Sequence, residues 1–215
     1  MLKTLFLLFL IFNTSFLYCS PIYDCTKLIN NIEKKYKIPN KLLEAISLTE
    51  TGRTVGGKYV AWPWSLNISG ESFFFKNEKD LLVLLEKKIK SQKNIDIGCM
   101  QISYKYHNKN FRNIEEISDP KKNIEWAALY LKKLFNKHNS WNKAIAKYHS
   151  SNPKRMKNYL TKVHKNWRYV RQNKKKSEIN LKSYNHSQKL FFVENKEKIQ
   201  FFKEQLSHDL KKNFN

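Results

Sequence analysis

Glu50 stands where a carboxylate is poorly placed. The run Ala45-Ile46-Ser47-Leu48-Thr49-Glu50-Thr51-Gly52 reads as the end of a helix whose buried stripe is Leu42, Leu43 and Ile46 and whose stop is Thr51-Gly52. The helix dipole is negative at that end, so the charged form of a carboxyl is disfavoured there. A residue that breaks a local rule is a candidate for function. A carboxyl that keeps its proton near neutrality can act as a general acid, and its conjugate base can take the proton back. Two other strings carry polar groups set among apolar ones: Asp96-Ile97-Gly98-Cys99-Met100-Gln101-Ile102 and Ala144-Ile145-Ala146-Lys147-Tyr148-His149-Ser150. Taken singly, each residue has a bland alternative. Glu50 reads equally as a solvated helix-end residue, Gly98 as a helix entry with Gln101 capping it, Met100 as core, and Tyr148 as packing.

The elements that must position these groups are mostly helical. Cys25, Leu28, Ile29, Ile32 and Tyr36 recur at helical spacing between Tyr23 and Lys37, and Pro39 separates that helix from the one ending at Glu50. Lys58 to Phe75, with aromatic runs on both sides of Ser69-Gly70, reads as one short irregular hairpin kept at an edge by Pro63. Helix returns over Asp80–Lys90, with Leu81, Leu84, Leu85 and Ile89 on one face. Asp119-Pro120 opens a long amphipathic helix through Ile124, Ala127, Ala128, Leu131, Leu134 and Phe135. Shorter helices follow over Trp141–Tyr148 and Pro153–Trp167. The expected fold is mainly α with a small β element.

Taken together and in order, the three strings resemble the soluble lytic transglycosylase family. The pattern is Glu-Ser/Thr-Gly at a helix end, then Gly-x-Met-Gln-Ile, then Ala-x-Tyr followed by Asn or His. The resemblance covers roughly residues 23–167, and Trp62-Pro63-Trp64-Ser65-Leu66-Asn67 looks like an insert of one branch of that family. It implies a lysozyme-like α+β domain over 21–168 and cleavage of peptidoglycan glycan strands between N-acetylmuramic acid and N-acetylglucosamine, with a 1,6-anhydro product. It implies Glu50 as the single catalytic acid. Thr51, Met100, Gln101, Tyr148 and His149 are then substrate-binding positions, with Tyr148 close to Glu50. Thr51 stands where serine is commoner and keeps the hydroxyl; His149 stands where asparagine is commoner and can also take charge. No metal and no cofactor is expected.

The implied chemistry is consistent with one carboxylate. Cutting a glycosidic bond requires a proton on the leaving oxygen, and ordinary glycosidases add a second carboxylate as nucleophile or as base for water. A muramic 6-hydroxyl attacking its own C1 needs no such partner, because an intramolecular arrangement supplies an effective molarity of about 10⁵ M or more. Aromatic and apolar neighbours such as Tyr148 and Met100 would raise Glu50 above the usual value of about 4.3. The nearest rival is a hydrolase of the same fold, a muramidase, in which Asp96 or Glu71 would position water. A rival of another class is a non-catalytic glycan-binding or envelope-assembly protein. Trp62, Trp64, Phe73 and Phe74 are open to core or sugar-stacking roles. His107 and His138 read as surface or core residues.

Compartment and charge complete the picture. Lys3, the apolar run Leu5–Phe12 and the polar Asn13-Thr14-Ser15 form a secretory signal pattern over residues 1–20; an uncleaved membrane anchor is the alternative. Both place the domain in the periplasm or elsewhere outside the cytosol, where a bridge between Cys25 and Cys99 is allowed. The 215 residues carry 41 Lys+Arg against 18 Asp+Glu, a net charge of +23. That invites a polyanion partner, but the basic residues are 36 Lys and 5 Arg beside 23 Asn and 17 Ile. Specific nucleic-acid recognition relies on Arg for bidentate contacts, so none is expected. Residues 154–215 hold 17 basic and 5 acidic residues, more than half of the net charge. They form a basic tail over 169–215, helical or disordered, behind a solvated linker at Lys174-Lys175-Lys176. It offers a contact for an envelope or secretion-system component.

Overall fold

The computed structural model describes residues 25–91 and 94–213; the expected signal segment 1–20 lies outside them. Two helices open the fold, α1 (Thr26–Lys35) and α2 (Leu42–Thr51). No side chain of its own N-cap closes α2. Instead the Glu33 carboxylate of α1 accepts from the backbone N–H groups of Lys41 (2.9 Å), Leu43 (2.7 Å) and Glu44 (3.3 Å). Those are the donors a helix start leaves without partners. Lys41 takes a left-handed conformation, φ 67°, and its ammonium pairs with Glu44 and with Asn30. Leu42, Leu43, Ala45, Ile46, Ser47 and Leu48 are all buried, so α2 runs through the middle of the domain. Each large apolar side chain there contributes about 1.5–3 kcal/mol on burial.

Two antiparallel sheets follow. Strands β1 (Gly52–Val55) and β2 (Lys58–Ala61) pair around Gly56-Gly57. Strands β3 (Ser65–Ile68), β4 (Glu71–Phe74), β5 (Ile95–Ile97) and β6 (Ile102–Ser103) form a sheet in the order β4-β3-β5-β6. In it Leu66 faces Ile97, and Asp96 faces Asn67 on one side and Ser103 on the other. Helix α3 (Glu78–Ile89) is capped by Asn77, which accepts from Asp80 N–H at 2.9 Å. After α4 (Tyr104–His107), a 3₁₀ turn and α5 (Ile114–Ser118), α6 (Pro120–His138) starts at the Asp119 cap, and α7 (Trp141–His149) at the Ser140 cap. Helix α8 runs from Pro153 to Asn213 and packs along α2 and α7.

The mainly α architecture with a small antiparallel sheet is as expected. Three local expectations are corrected. The β element is larger than one hairpin: Tyr59–Ala61 pair with β1 rather than with the Phe73–Phe75 arm, and residues 95–97 and 102–103 are strands. Gly98 does not enter a helix but turns the chain between β5 and β6, and Gln101 sits in that turn instead of capping a helix. Helix α8 does not end near Trp167. It passes through 168–169 and through 174–176 without a linker. Lysine is a good helix former, and no Gly or Pro follows Pro153, so nothing stops the helix there.

The bridge open to Cys25 and Cys99 is formed, with Cα atoms 6.2 Å apart, and it spans 74 residues. It ties the start of α1 to the Gly98–Gln101 turn. Closing a loop of that length stabilises a fold by about 4 kcal/mol in the chain-entropy account.

Candidate active site

Glu50 emerges from the last turn of α2 as a half-buried residue. The Tyr159 hydroxyl, reaching across from α8, donates to Glu50 Oε1 at 2.5 Å. Tyr159 is itself buried. The two helices are locked beside this contact: Asn166 Nδ2 donates to Thr49 Oγ1 at 2.9 Å, and Trp167 Nε1 donates to the Asn40 carbonyl at 2.9 Å. Desolvation pushes the Glu50 carboxyl up to about 7. The Tyr159 hydrogen bond and the Lys162 charge pull the other way, and the Asp96 charge adds to the rise. A carboxyl raised that far keeps its proton closer to neutrality than an ordinary Glu does, and a group that titrates there can both give and take a proton.

The turn between β5 and β6 is fixed to α2 by hydroxyls. Ser47 Oγ donates to the Cys99 carbonyl at 2.9 Å, and Thr51 Oγ1 lies 3.3 Å from the same carbonyl and 3.2 Å from Ser47 O. Asn123 of α6 grips the turn from the other side. Its Nδ2 donates to the Ile97 and Ile117 carbonyls, both at 2.9 Å, and its Oδ1 accepts from Met100 N–H at 2.9 Å. Gly98 has φ 76°, and a Cβ there would lie 2.8 Å from Asn123 Nδ2; both the conformation and the contact demand glycine. Gln101 also has positive φ, 46°, and its Nε2 donates to the Gly98 carbonyl (3.1 Å) and to Ser65 Oγ (3.3 Å). Tyr148 of α7 donates to the Met100 carbonyl at 2.8 Å.

Of the residues singled out in the sequence, Thr51, Met100, Gln101 and Tyr148 meet at the Gly98–Gln101 turn, while Glu50 and His149 meet at Tyr159. Glu50, Gln101 and Tyr148 are each partly accessible. Burial, then the Glu50 charge, pushes the Tyr148 hydroxyl well above its ordinary value, so it stays a neutral donor. Thr51 and Met100 are buried, at 2% and 0% exposure; their side chains hold the frame from beneath. His149 lies flat on the Tyr159 ring, with centroids 4.3 Å apart and 2° between planes, and burial followed by the Arg155 and Lys162 charges lowers its pKa. A cavity of about 190 Å³ opens here, lined by Thr49, Glu50, His149, Arg155, Asn158, Tyr159 and Lys162.

Of the two further carboxylates, Asp96 is the one felt by Glu50. Burial raises its own pKa, against a lowering hydrogen bond from Ser103. Glu71 lies exposed at the far end of edge strand β4. Trp64 is core, whereas Phe74 is exposed and lies under the Arg53 guanidinium at 4.6 Å. A row of rings runs outward from Tyr148: Tyr130 at 5.9 Å, then Trp126 at 5.1 Å from Tyr130, then His107 at 4.4 Å from Trp126.

Tyr159 was not singled out in the sequence. Its position on a stripe with Val163 and Val170, both buried, was the available signal, but a stripe shows burial and not a partner 109 residues away. Among the described residues no group of three His, Cys, Asp or Glu is placed to hold a metal ion, and no helix is long and apolar enough to cross a membrane.

A family model described as Transglycosylase SLT domain matches residues 71–182, just over half of the chain. The matched segment holds the Gly98–Gln101 turn, Tyr148 and Tyr159 and begins after Glu50. No curated protein and no solved structure matches the chain.

Proposed function

The chain belongs to the transglycosylase SLT domain family, and from that premise we propose that it cuts the bond between N-acetylmuramic acid and N-acetylglucosamine without water, with Glu50 as acid and then base. A transglycosylase-type activity on peptidoglycan goes with the family. The observation that carries the finer proposal is the Glu50 carboxyl, raised to about 7 by desolvation and held on one oxygen by Tyr159.

Tyr159 occupies Oε1, which leaves Oε2 to face the glycosidic oxygen. Protonated Glu50 donates to that oxygen, the C1–O bond breaks, and positive charge develops on the muramic ring. The carboxylate so formed keeps the Tyr159 hydrogen bond, which is strongest to the charged form. The muramic 6-hydroxyl then attacks C1, and Glu50 takes its proton. The new C1–O6 bond closes the anhydro ring, and Glu50 is again an acid. Gln101 and Tyr148, whose polar groups are already oriented by the turn, border the reacting sugar. The Cys25–Cys99 disulfide supports work in an oxidising compartment outside the cytosol, in line with the secretory pattern of residues 1–20.

One observation favours a second reading. Asp96 is partly buried and close enough to raise Glu50, as a base that activates water for hydrolysis would be. Mass spectrometry of digested sacculi separates the two. Anhydro-muramyl ends that vanish with Glu50→Gln support the lyase. Reducing muramyl ends, with ¹⁸O taken from labelled water, would refute it in favour of the hydrolase.

A further inference from the structure

Helix α8 brings more than Tyr159 to the cavity over Glu50. Arg155 and Lys162 line it too, four residues before and three after Tyr159, so all three share one helical stripe. Neither forms a salt bridge with an Asp or Glu among the described residues. Their fields converge on the site: Lys162 acts on Glu50, and both act on the His149 imidazole. Burial and these two cations lower the His149 pKa, and desolvation raises the Glu50 carboxyl to about 7. The wall of the cavity beside Glu50 therefore carries two positive charges that form no salt bridge with a carboxylate among the described residues. Two cations that face one cavity repel each other, and an anion seated between them relieves that repulsion.

We propose that Arg155 and Lys162 form a carboxylate-binding subsite beside Glu50, which takes the anionic arm of the muramyl unit and so sets the register of the strand. The inference rests on the peptidoglycan reading above. N-acetylglucosamine carries no ionisable group, so a carboxylate distinguishes the muramyl sugar from its neighbour. A guanidinium receives a carboxylate through two parallel hydrogen bonds, and a nearby ammonium adds a point charge. The same event helps the chemistry. A bound carboxylate offsets the Lys162 charge that otherwise favours ionised Glu50, so the acid form is preferred once the correct sugar is seated. The carboxylate has two sources: the stem peptide, or the lactyl group itself where the stem has been removed.

The test uses the full chain and three substrates: intact sacculi, sacculi whose carboxylates have been converted to methylamides, and amidase-stripped strands with free lactyl carboxylates. Release of cut ends is followed by mass spectrometry for wild type, for Arg155→Gln/Lys162→Gln, and for Lys157→Gln/Lys165→Gln, which removes the same charge from α8 outside the cavity. Wild type is expected to show a KM about tenfold higher on methylamide sacculi than on intact ones. The cavity double variant shows that raised KM on both and is indifferent to amidation, while the control pair behaves as wild type. Stripped strands cut with a low KM assign the lactyl carboxylate; a high KM there assigns the stem. Equal KM for wild type on intact and methylamide sacculi overturns the subsite. So does a double variant whose KM exceeds that of wild type by the same factor on intact and on methylamide sacculi, or a control pair that matches the cavity pair. Sedimentation of the Glu50→Gln protein with the same sacculi separates the two proposals: charge-dependent binding without cleavage by wild type refutes the catalytic reading and keeps the subsite.

Discussion

Tyr159→Phe removes one hydroxyl and keeps the ring that stacks on His149. The lost hydrogen bond is 2.5 Å long, goes to a carboxyl oxygen and is shielded by a buried ring. Hydrogen bonds to charged groups contribute about 1.5–3 kcal/mol. The neutral acid keeps part of that interaction, so the difference between protonation states is about 1.4–2 kcal/mol, or roughly one pKa unit. The sign follows from the bond lowering Glu50's pKa: without it the value moves up from about 7. Two effects separate in a pH profile. The limb that reports loss of the acid form moves about one unit toward alkaline pH. The plateau falls about tenfold to thirtyfold, because the transition state develops the carboxylate that Tyr159 stabilises. The assay is release of muramyl ends from sacculi between pH 5 and 9, with thermal melts confirming that the variant is folded. A profile superimposable on wild type, or a plateau within twofold of it, would refute the role given to Tyr159.

Glu50→Gln should abolish cleavage and also change how stability depends on pH. Folding raises the carboxyl from 4.5 to about 7, so the folded state binds the proton more tightly. The contribution is present in full below the unfolded value and is lost as pH rises through 7, about 3 kcal/mol in all. Urea melts at pH 4.5 and pH 8 should show that loss in wild type and not in the variant; equal losses would contradict it. Cys25→Ser/Cys99→Ser should lower unfolding free energy by about 4 kcal/mol for a 74-residue loop, with denaturant midpoints as the readout. Gly98→Ala forces a side chain into a left-handed position against Asn123. It should cost about 1–3 kcal/mol and depress activity more than a surface substitution of equal cost; wild-type activity would show the turn to be irrelevant. Asp96→Asn should move the Glu50 limb toward acid pH if Asp96 acts only through its charge, and should abolish turnover if it is the base of a hydrolase.

What could be read in the chain and what could not divides along the range of the interaction. Helix α2, its stop at Gly52 and the Asp119-Pro120 start are written in residues next to one another, and each is found. The strands at 95–97 and 102–103 are too short for alternation to show, and exist because Asn123 and the α2 hydroxyls hold their turn. Lys174–Lys176 suggested a linker because charge was taken for disorder, although lysine does not end a helix. At the site, Glu50 stood out because it violates the helix dipole. Thr51 and Met100 carried the right motif but lie beneath the surface, which a motif does not encode. Tyr159 and the Arg155–Lys162 pair depend on α8 lying against α2, a long-range fact with no local mark.

Helix α8 has a geometric consequence of its own. Its 61 residues amount to about 90 Å at 1.5 Å each. Among the described side chains its last buried one is Val170, and from there to Asn213 the helix axis runs about 65 Å further. A straight helix of that length is a rod. A rod also has a phase. Deleting one turn brings its far end about 5.4 Å closer while leaving it facing nearly the same way; deleting two residues shortens it by only about 3 Å but swings it through about 200°. Anything that grips the far end therefore sets both the distance and the compass bearing of the groove.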